Sequence, residues 1–221
     1  MFSGGKDSTY ALKMALERLN VRCLISVFSE NMESYMFHTP NIEITRLQAE
    51  SMGIPIVTKR TKGVKERELR DLRNAIRDAK NRFGIECIVT GAVESVYQAS
   101  RVQKICHDLG LWCMNPLWKK NQVELLKELV TNKFDVMVTG IFAYPLDRRW
   151  LGRRLNSRLI RELVALQEKY QISPSGEGGE LETTVLDAPM FRKRLEITDS
   201  VISASGNSGT LEIKGAGLVK K

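Results

Sequence analysis

Short apolar runs alternate with helical periodicities through the first half of this chain. Strand-like runs fall at about 21–28, 54–58, 85–90 and 111–114, and between them apolar residues recur at steps of three and four. Helices that connect such runs cross over a parallel sheet, and these crossovers are right-handed. The alternation therefore predicts an α/β fold, with a doubly wound parallel sheet that helices cover on both faces.

The second half has a different pattern. Helices are predicted over 122–131 and 157–170, and an apolar strand over 134–142. A terminal hairpin is predicted with strands over 194–204 and 210–214 and a turn at Gly206-Asn207. A loop rich in glycine and glutamate is predicted between the second of these helices and the hairpin.

Length and pattern together indicate two domains. At about 150 residues per domain, 221 residues suit one large domain with a smaller companion. The change of pattern places the boundary near residue 119. We therefore expect one domain over 1–119 and a smaller α+β domain over 120–221.

Composition excludes several classes of protein. With 43% hydrophobic and 27% charged residues, the chain is not disordered. No run approaches the roughly 18 apolar residues of a membrane helix, and no signal-peptide pattern opens the chain. Four cysteines without C-x-x-C spacing exclude a disulfide framework and a zinc knuckle, and indicate reduced thiols in a cytoplasmic protein. The net charge of +8 suits a polyanionic partner, which could be nucleotide, RNA or an acidic protein.

A glycine-rich string lies directly ahead of the first helix. Two adjacent glycines let the backbone turn tightly against a ligand, and the helix start offers N–H groups and the positive end of its dipole. A lysine and two serine hydroxyls add donors. The alternative is an ordinary glycine-rich turn with an Asp or Ser cap. The string predicts a phosphate-binding loop, which consists of Ser3, Gly4, Gly5, Lys6, Asp7 and Ser8.

This loop resembles the PP-loop of the ATP pyrophosphatase superfamily. Enzymes of that superfamily cleave ATP between the α and β phosphates, hold the pyrophosphate in the loop and adenylate their substrate. The resemblance implies ATP and Mg²⁺ as cofactors. The loop alone does not choose among members, which include GMP synthetase, asparagine synthetase and tRNA-thiolating enzymes.

Four further strings narrow the resemblance. They are the S-E-N…E-S-Y-M-F-H-T-P-N string at 29–41, G-A-V-E-S-V-Y-Q at 91–98 with Arg101, W-L-G-R at 150–153, and G-E-G-G-E-L-E-T-T-V-L-D-A-P at 176–189. Over essentially the whole chain, they look like the diphthine–ammonia ligase family. The resemblance implies that ammonium amidates the diphthine carboxylate of translation elongation factor 2. The reaction would proceed through an acyl-adenylate and convert ATP to AMP and pyrophosphate.

The predicted nucleotide site lies at the carboxyl ends of the strands, where doubly wound sheets bind ligands. The loop residues Ser3 to Ser8 are expected on the phosphates, with Lys6 and Asp7 catalytic and Asp7 also the metal ligand. Adenine is expected at the backbone of Val27, Phe28 and Ser29. Further nucleotide contacts are expected from His38, Gly91 and Glu94. The alternative for His38 is a cap histidine packed on aromatic side chains.

The predicted substrate site draws on both halves of the chain. Glu94, Tyr97, Gln98 and Arg101 recur at the spacing of one helical face, for which a solvated surface is the alternative. Aromatic walls are expected from Tyr144 and Trp150, with Trp118 as a further candidate. Carboxylates are expected from Glu177, Glu180 and Glu182, of which the first two are assigned as catalytic.

The three glutamates repel one another, and a cation would relieve that repulsion. Mg²⁺ prefers carboxylates together with phosphate oxygens, whereas quaternary ammonium prefers aromatic walls. The sequence leaves Mg²⁺, ammonium and the trimethylammonium group of diphthine open as the cation.

Two alternative functions fit parts of the sequence. A tRNA-modifying PP-loop enzyme suits the basic charge, but the paired cysteines of thiolating members are not seen here. A sensor that binds ATP or AMP without turnover is the second rival, and an intact Lys6 speaks against it. Expected partners are elongation factor 2 carrying diphthine and ammonium, with no membrane and no direct nucleic-acid contact. A homodimer is left open.

The start of the chain departs from the expected pattern. A phosphate loop of this kind should follow a buried strand of about five residues, but only Met1 and Phe2 precede Ser3. We expect a short apolar upstream segment to complete this strand, with Met1 an internal position. The alternative is a two-residue strand with water or a side chain in the gap.

Overall fold

The computed structural model describes residues 1–31, 41–64 and 66–221, which separate into two units, Met1–Trp118 and Lys119–Lys221. In these residues, no helix is both long enough and apolar enough to cross a membrane.

The first unit alternates helices and strands as the sequence predicts. The strand Leu24–Ser29 (β1) pairs with Ile56–Thr61 (β2), and Cys87–Val89 (β3) pairs with Trp112–Met114 (β4). Both pairs are parallel. The predicted α/β class with parallel strands is therefore confirmed. In chain order the elements are α1 (Lys6–Leu16), β1 (Leu24–Ser29), α2 (Ile44–Met52), β2 (Ile56–Thr61), α3 (Arg67–Phe83), β3 (Cys87–Val89), α4 (Val96–Asp108) and β4 (Trp112–Met114).

The core of this unit forms between the strands and the helices. Helix α3 buries Leu72, Ala75, Ile76 and Ala79, which recur at helical spacing and form one apolar face. That face packs with buried residues of β1, β2, β3 and α4 in a single hydrophobic cluster. This packing fixes the positions of the carboxyl ends of the strands, where the candidate site of this unit lies.

The second unit contains a four-stranded sheet whose strand pairings are antiparallel. The order across the sheet is Leu181–Asp187 (β6), Asp135–Ile141 (β5), Ser208–Val219 (β8) and Arg194–Ser205 (β7). Asn121 and Asn156 cap its two α-helices by accepting hydrogen bonds from backbone N–H groups. Its elements are α5 (Gln122–Thr131), β5 (Asp135–Ile141), a 3₁₀ turn (Arg148–Trp150), α6 (Ser157–Tyr170), β6 (Leu181–Asp187), β7 (Arg194–Ser205) and β8 (Ser208–Val219).

Two details of this unit differ from the sequence prediction. The glycine- and glutamate-rich loop gives way at Leu181 to strand β6, which pairs with β5 along its length. Strand β8 continues to Val219 through Gly215 and Gly217, because its partner β7 supplies backbone hydrogen bonds along the whole hairpin. The predicted turn at Gly206-Asn207 is confirmed, since Ser205 and Ser208 are paired directly across it.

Candidate active site

The phosphate loop is held in place by hydrogen bonds among its own residues. Ser3 N–H donates to Ser8 Oγ at 3.2 Å, and the two serine hydroxyls lie 3.1 Å apart. Gly5 is the residue before α1, and it has no side chain. The first turn of α1 therefore has no side-chain cap. Since the first N–H groups of a helix have no intrahelical acceptors, this end of α1 suits an anion.

Helix α2 supports the loop from outside. Gln48, which is fully buried, donates from Nε2 to the carbonyl oxygen of Gly4 at 3.0 Å. Thr9 closes the other end, because its hydroxyl donates to the Gly5 carbonyl at 2.8 Å. The backbone of the loop is therefore fixed on both sides before any ligand binds, which reduces the entropy lost on binding.

Lys6 and Asp7 form an ion pair at the start of α1. The distance between Lys6 Nζ and Asp7 Oδ2 is 2.7 Å, and Lys6 is only 3% exposed. A buried lysine is unfavourable unless an anion accompanies it, and its place at the loop suits a phosphate as a second anionic partner.

Asp7 is the one predicted metal ligand. Its Oδ1 atom is buried and has no hydrogen-bond partner in the described part of the chain. No group of three or more His, Cys, Asp or Glu side chains in that part is arranged to hold a metal ion. Mg²⁺ is commonly bound by one or two carboxylates together with phosphate oxygens, so Asp7 fits this ion when a nucleotide supplies the other ligands.

Gly91 lies against the backbone of the phosphate loop. A Cβ atom at this position would be 2.6 Å from Ser8 N and 2.7 Å from the carbonyl carbon of Asp7. The turn that carries Gly91 is itself braced, because Ala92 N–H donates to Thr90 Oγ1. Only glycine allows the end of β3 to approach the first turn of α1 so closely.

We expect Gly91→Ala to lower the free energy of unfolding by about 1–3 kcal/mol, because the added methyl group meets backbone that cannot rotate away. Denaturant unfolding measures the change. The matched control is Gly217→Ala, since no atom lies within 4 Å of a Cβ built there. An equal loss in the two variants would show that close packing on the loop is not the cause.

The predicted adenine site lies at the carboxyl end of β1. Val27, Phe28 and Ser29 are all buried, and their backbone is paired in register with β2. Ser29 Oγ accepts from Asn31 N–H at 3.1 Å, and Asn31 Nδ2 donates to the Gly63 carbonyl at 3.1 Å. His38 lies outside the described residues.

The predicted helical face on α4 is present in part. Helix α4 begins at Val96 after its cap Ser95, so Glu94 lies ahead of the helix and does not belong to that face. This part of the prediction is wrong, because the Ser95 hydroxyl accepts from Gln98 N–H and ends the loop there.

On the α4 face, the side chains of Tyr97 and Arg101 both contact Glu66. The Arg101 guanidinium stacks 3.8 Å from the Tyr97 ring centroid, and both side chains donate to Glu66 Oε1. The hydrogen bond with Glu66 raises the pKa of Arg101, so this guanidinium stays charged. Arg101 Nε is buried and has no hydrogen-bond partner in the described part of the chain, so this N–H is a candidate donor to a ligand.

In the second unit, the glutamate-bearing loop is folded around Gly176. A Cβ atom on Gly176 would be 2.3 Å from the Leu181 carbonyl oxygen, and φ at this residue is 79°. The start of the loop is anchored by Gln122, whose Oε1 accepts from the hydroxyls of Ser173 and Ser175. The loop therefore has a defined shape.

Glu180 occupies the inner side of this loop. Its Oε1 accepts from Ser173 N–H at 2.9 Å, while its Oε2 is buried and has no hydrogen-bond partner in the described part of the chain. Glu177 and Glu182 are half-buried and have other interactions. A buried carboxylate oxygen without a donor is costly, so Glu180 is the strongest candidate here for contact with a cation.

The two predicted aromatic walls differ in exposure. Tyr144 is 63% exposed and meets Tyr170 edge to face with the ring centroids 5.2 Å apart. Trp150 is buried, and the Arg153 guanidinium lies 4.6 Å from its ring centroid. Arg153 is held there by two hydrogen bonds to Glu162, whose pKa it lowers. Tyr144 is thus open to a ligand, whereas one face of Trp150 is already covered by a cation.

Several supporting residues escape sequence reasoning. Gln48 and Gln122 each fix a site loop through contacts distant in sequence, and Thr90 braces its loop through Ala92, two residues further along the chain. A polar residue on a helix or at a strand end is common, and no local pattern separates these three from solvated residues.

The fold and the loop define an α/β protein with an anion-binding loop at the start of its first helix. Comparison with known proteins identifies the family within this class. A family model described as the diphthamide synthase N-terminal domain matches residues 1–113, and the diphthamide synthase C-terminal domain matches 121–219. The chain therefore belongs to the diphthamide synthase family.

Individual relatives agree with the family match. A diphthine–ammonia ligase of Schizosaccharomyces pombe is 31% identical over 97% of this chain, which spans 38% of that relative's length. The human diphthine–ammonia ligase is 31% identical, with 91% of this chain and 83% of the relative covered. A solved structure from Methanocaldococcus jannaschii, titled a predicted subunit of tRNA methyltransferase, has a TM-score of 0.44 and 15% identity, with 86% of this chain and 95% of that one covered.

Proposed function

We propose that this chain is a diphthine–ammonia ligase, which uses ATP to amidate the carboxylate of diphthine with ammonium. The observation that carries the proposal is the match of both diphthamide synthase domains to one chain whose first unit holds a braced phosphate loop. The curated relatives carry the ligase activity in their names. We assign nucleotide binding to residues 1–119 and substrate binding to 120–221.

The first step activates the carboxylate. A diphthine carboxylate oxygen attacks the α-phosphorus of ATP, the bond to the bridging oxygen breaks, and pyrophosphate leaves. Lys6 and the N–H groups at the start of α1 stabilise the charge that develops on the phosphates. When bound, Mg²⁺ would neutralise phosphate charge, and Asp7 would hold it.

The second step forms the amide. Ammonium loses a proton, the resulting ammonia attacks the acyl carbon, AMP leaves, and the nitrogen loses a second proton. A hydrogen-bonding cation suits Glu180 Oε2 better than trimethylammonium does, because trimethylammonium has no N–H to donate to that oxygen. We therefore assign Glu180 to ammonium, with Glu177 beside it in the loop as a second acceptor for the released protons.

The protein partner in this proposal is translation elongation factor 2 carrying diphthine, and the reaction takes place in the cytoplasm. The four cysteines are free thiols, as expected in a reducing compartment. We assign the binding of elongation factor 2 to the second unit.

The products of ATP test the proposal directly. With diphthine-bearing elongation factor 2, ATP and ammonium, we expect AMP and pyrophosphate in equal amounts with amide formed, as mass spectrometry of the factor and chromatography of the nucleotides would show. Omission of ammonium should abolish the amide. ADP and phosphate as products would contradict the assignment to this class of enzyme.

The same experiment separates the rival functions. ATP binding with no release of pyrophosphate would indicate the nucleotide sensor. Release of pyrophosphate that depends on tRNA and not on elongation factor 2 would indicate the tRNA-modifying enzyme.

A further inference from the structure

The sheet of the second unit brings four strand ends together. Strand β5 begins and β6 ends at the same place, since Asp135 is directly opposite Asp187. Because β8 runs antiparallel to β5 and β7 antiparallel to β8, the end of β8 and the start of β7 also lie there, with Arg194 opposite Val219. The residues at these four strand ends are therefore close in space, although they are far apart in the sequence.

This end of the sheet, which we call the basic end, is rich in positive charge. Three acidic side chains, Asp135, Asp187 and Glu196, lie on the four strand ends or within two residues of them. Six basic side chains do so too, and a seventh, Arg154, joins them through its ion pair with Asp135. All seven basic side chains are exposed, and they are Lys133, Arg154, Arg192, Lys193, Arg194, Lys220 and Lys221.

The two aspartates of the basic end are already engaged. Asp135 Oδ1 lies 2.9 Å from a guanidinium nitrogen of Arg154, and Asp187 Oδ1 lies 2.7 Å from Lys221 Nζ. Lys193 and Lys220 follow one residue beyond the last pair of the β7–β8 hairpin. Like charges on neighbouring strands repel, so an anionic partner would relieve the repulsion that this concentration of cations causes.

The backbone that carries these side chains is anchored. Phe191 is 3% exposed, and its N–H donates to the Ala188 carbonyl at 3.0 Å. Lys221 Nζ donates to the same carbonyl at 2.7 Å. Arg192 and Arg194 therefore extend from a fixed segment into solvent. An arginine side chain can bind a carboxylate through two parallel hydrogen bonds, so this pair suits aspartate or glutamate side chains of a partner.

Strand β6 connects the basic end to the glutamate-bearing loop. It begins at Leu181, directly after Glu180, and ends seven residues along at Asp187. At about 3.3 Å per residue, the two ends of β6 are about 20 Å apart. A group bound at the basic end therefore does not touch Glu180, and only a large partner can reach both places at once.

Building on the proposed function, in which the substrate is a protein, we propose that the basic end is the docking surface for an acidic segment of that protein. Its carboxylates pair with the cations of the basic end, while the residue to be modified reaches the glutamate-bearing loop. The charged groups that face this segment are the seven cations and Glu196, since the two aspartates are engaged.

The surroundings favour carboxylates over nucleic acid as the partner. Single-stranded nucleic acids are commonly held by bases that stack on aromatic side chains. In the second unit, all of which the structure describes, the large aromatic side chains that are exposed are Phe142 and Tyr144. Both follow β5 at its other end, so the basic end offers charge without a stacking surface.

Charge reversal tests the docking surface. Arg192→Glu/Arg194→Glu is compared with the unmodified chain in the amidation of elongation factor 2 carrying diphthine, at about 50 mM salt, where screening is weak. We expect the KM for the factor to rise about tenfold or more and kcat to change by less than about twofold, because these charges act on encounter and not on the chemistry. At about 0.5 M salt the difference in KM should fall to about twofold or less.

Two control variants separate docking from folding and from net charge. Arg192→Lys/Arg194→Lys keeps both charges, so its KM should stay within about threefold of that of the unmodified chain. Lys127→Glu/Arg161→Glu changes the net charge by the same amount at exposed positions of α5 and α6 and should leave the KM unchanged. Thermal midpoints confirm that each variant is folded. An equal rise in KM in the Lys127/Arg161 variant would overturn the proposal, because net charge would then be the cause.

Direct binding distinguishes this docking surface from the proposed function. Surface plasmon resonance measures binding of the diphthine-bearing factor to each variant without ATP or ammonium. If amide forms but reversal at Arg192 and Arg194 leaves binding unchanged, the docking surface is wrong and the function stands. If no amide forms but reversal weakens binding about tenfold, the docking surface stands and the function is wrong. Reversal that weakens binding of tRNA and not of the factor would also overturn the proposal.

Discussion

Lys6→Ala is expected to lower the rate of pyrophosphate release by about 100-fold or more, taking the loss of one charge-stabilising group as the guide. Lys6 is buried beside the phosphate loop, and its ammonium group meets Asp7 at 2.7 Å. Removal of the lysine leaves a carboxylate where phosphate should bind, so charge repulsion adds to the loss of stabilisation. Single-turnover release of pyrophosphate from ATP measures the effect.

The control for Lys6 is Lys13→Ala on the same helix. Lys13 pairs at the surface with Glu17, the residue that follows α1, and has no part in the loop. Because an uncompensated Asp7 could also lower stability, Lys6→Met, which keeps most of the apolar stem, and the thermal midpoint are measured beside it. A folded Lys6 variant with a near-normal rate would remove Lys6 from its assigned role.

Local pattern is enough to predict the helices and most of the strands. Helix α3 is set by an apolar stripe and α6 by its Asn156 cap, and both are features of consecutive residues. Strand β1 begins at Leu24 and not at residue 21, because its partner segment has Pro55, which has no N–H to donate to the residues before Leu24. Such a boundary depends on the neighbouring strand.

The sequence predicts only those parts of the site that consist of consecutive residues. The loop from Ser3 to Ser8 is read from the sequence, but its support by Gln48 comes from another helix. Strand β6 escapes prediction because the glycines and glutamates at 176–180 suggest a loop, while pairing with β5 decides the conformation from Leu181 onward. Tertiary packing supplies what the local pattern lacks.

Glu180→Gln is expected to reduce amide formation by about 100-fold or more, while ATP affinity changes by no more than a few-fold. Glutamine keeps the size of the side chain, and its amide oxygen can still accept from Ser173 N–H. The substitution replaces the buried Oε2 acceptor with an N–H₂ donor, which repels ammonium. We therefore expect a raised KM for ammonium, measured by mass spectrometry of elongation factor 2 across ammonium concentrations.

Glu177→Gln and an exposed control complete this test. Glu177 lies in the same loop, so its replacement should also impair amidation, whereas Glu168→Gln on the outer side of α6 should leave the rate unchanged. Calorimetry with ATP and Mg²⁺ is the deciding measurement. If ATP affinity collapses in the Glu180 variant, the loop serves the nucleotide and its metal ion, and the assignment of Glu180 to ammonium fails. If affinity holds and only the KM for ammonium rises, the buried carboxylate acts on the nitrogen source.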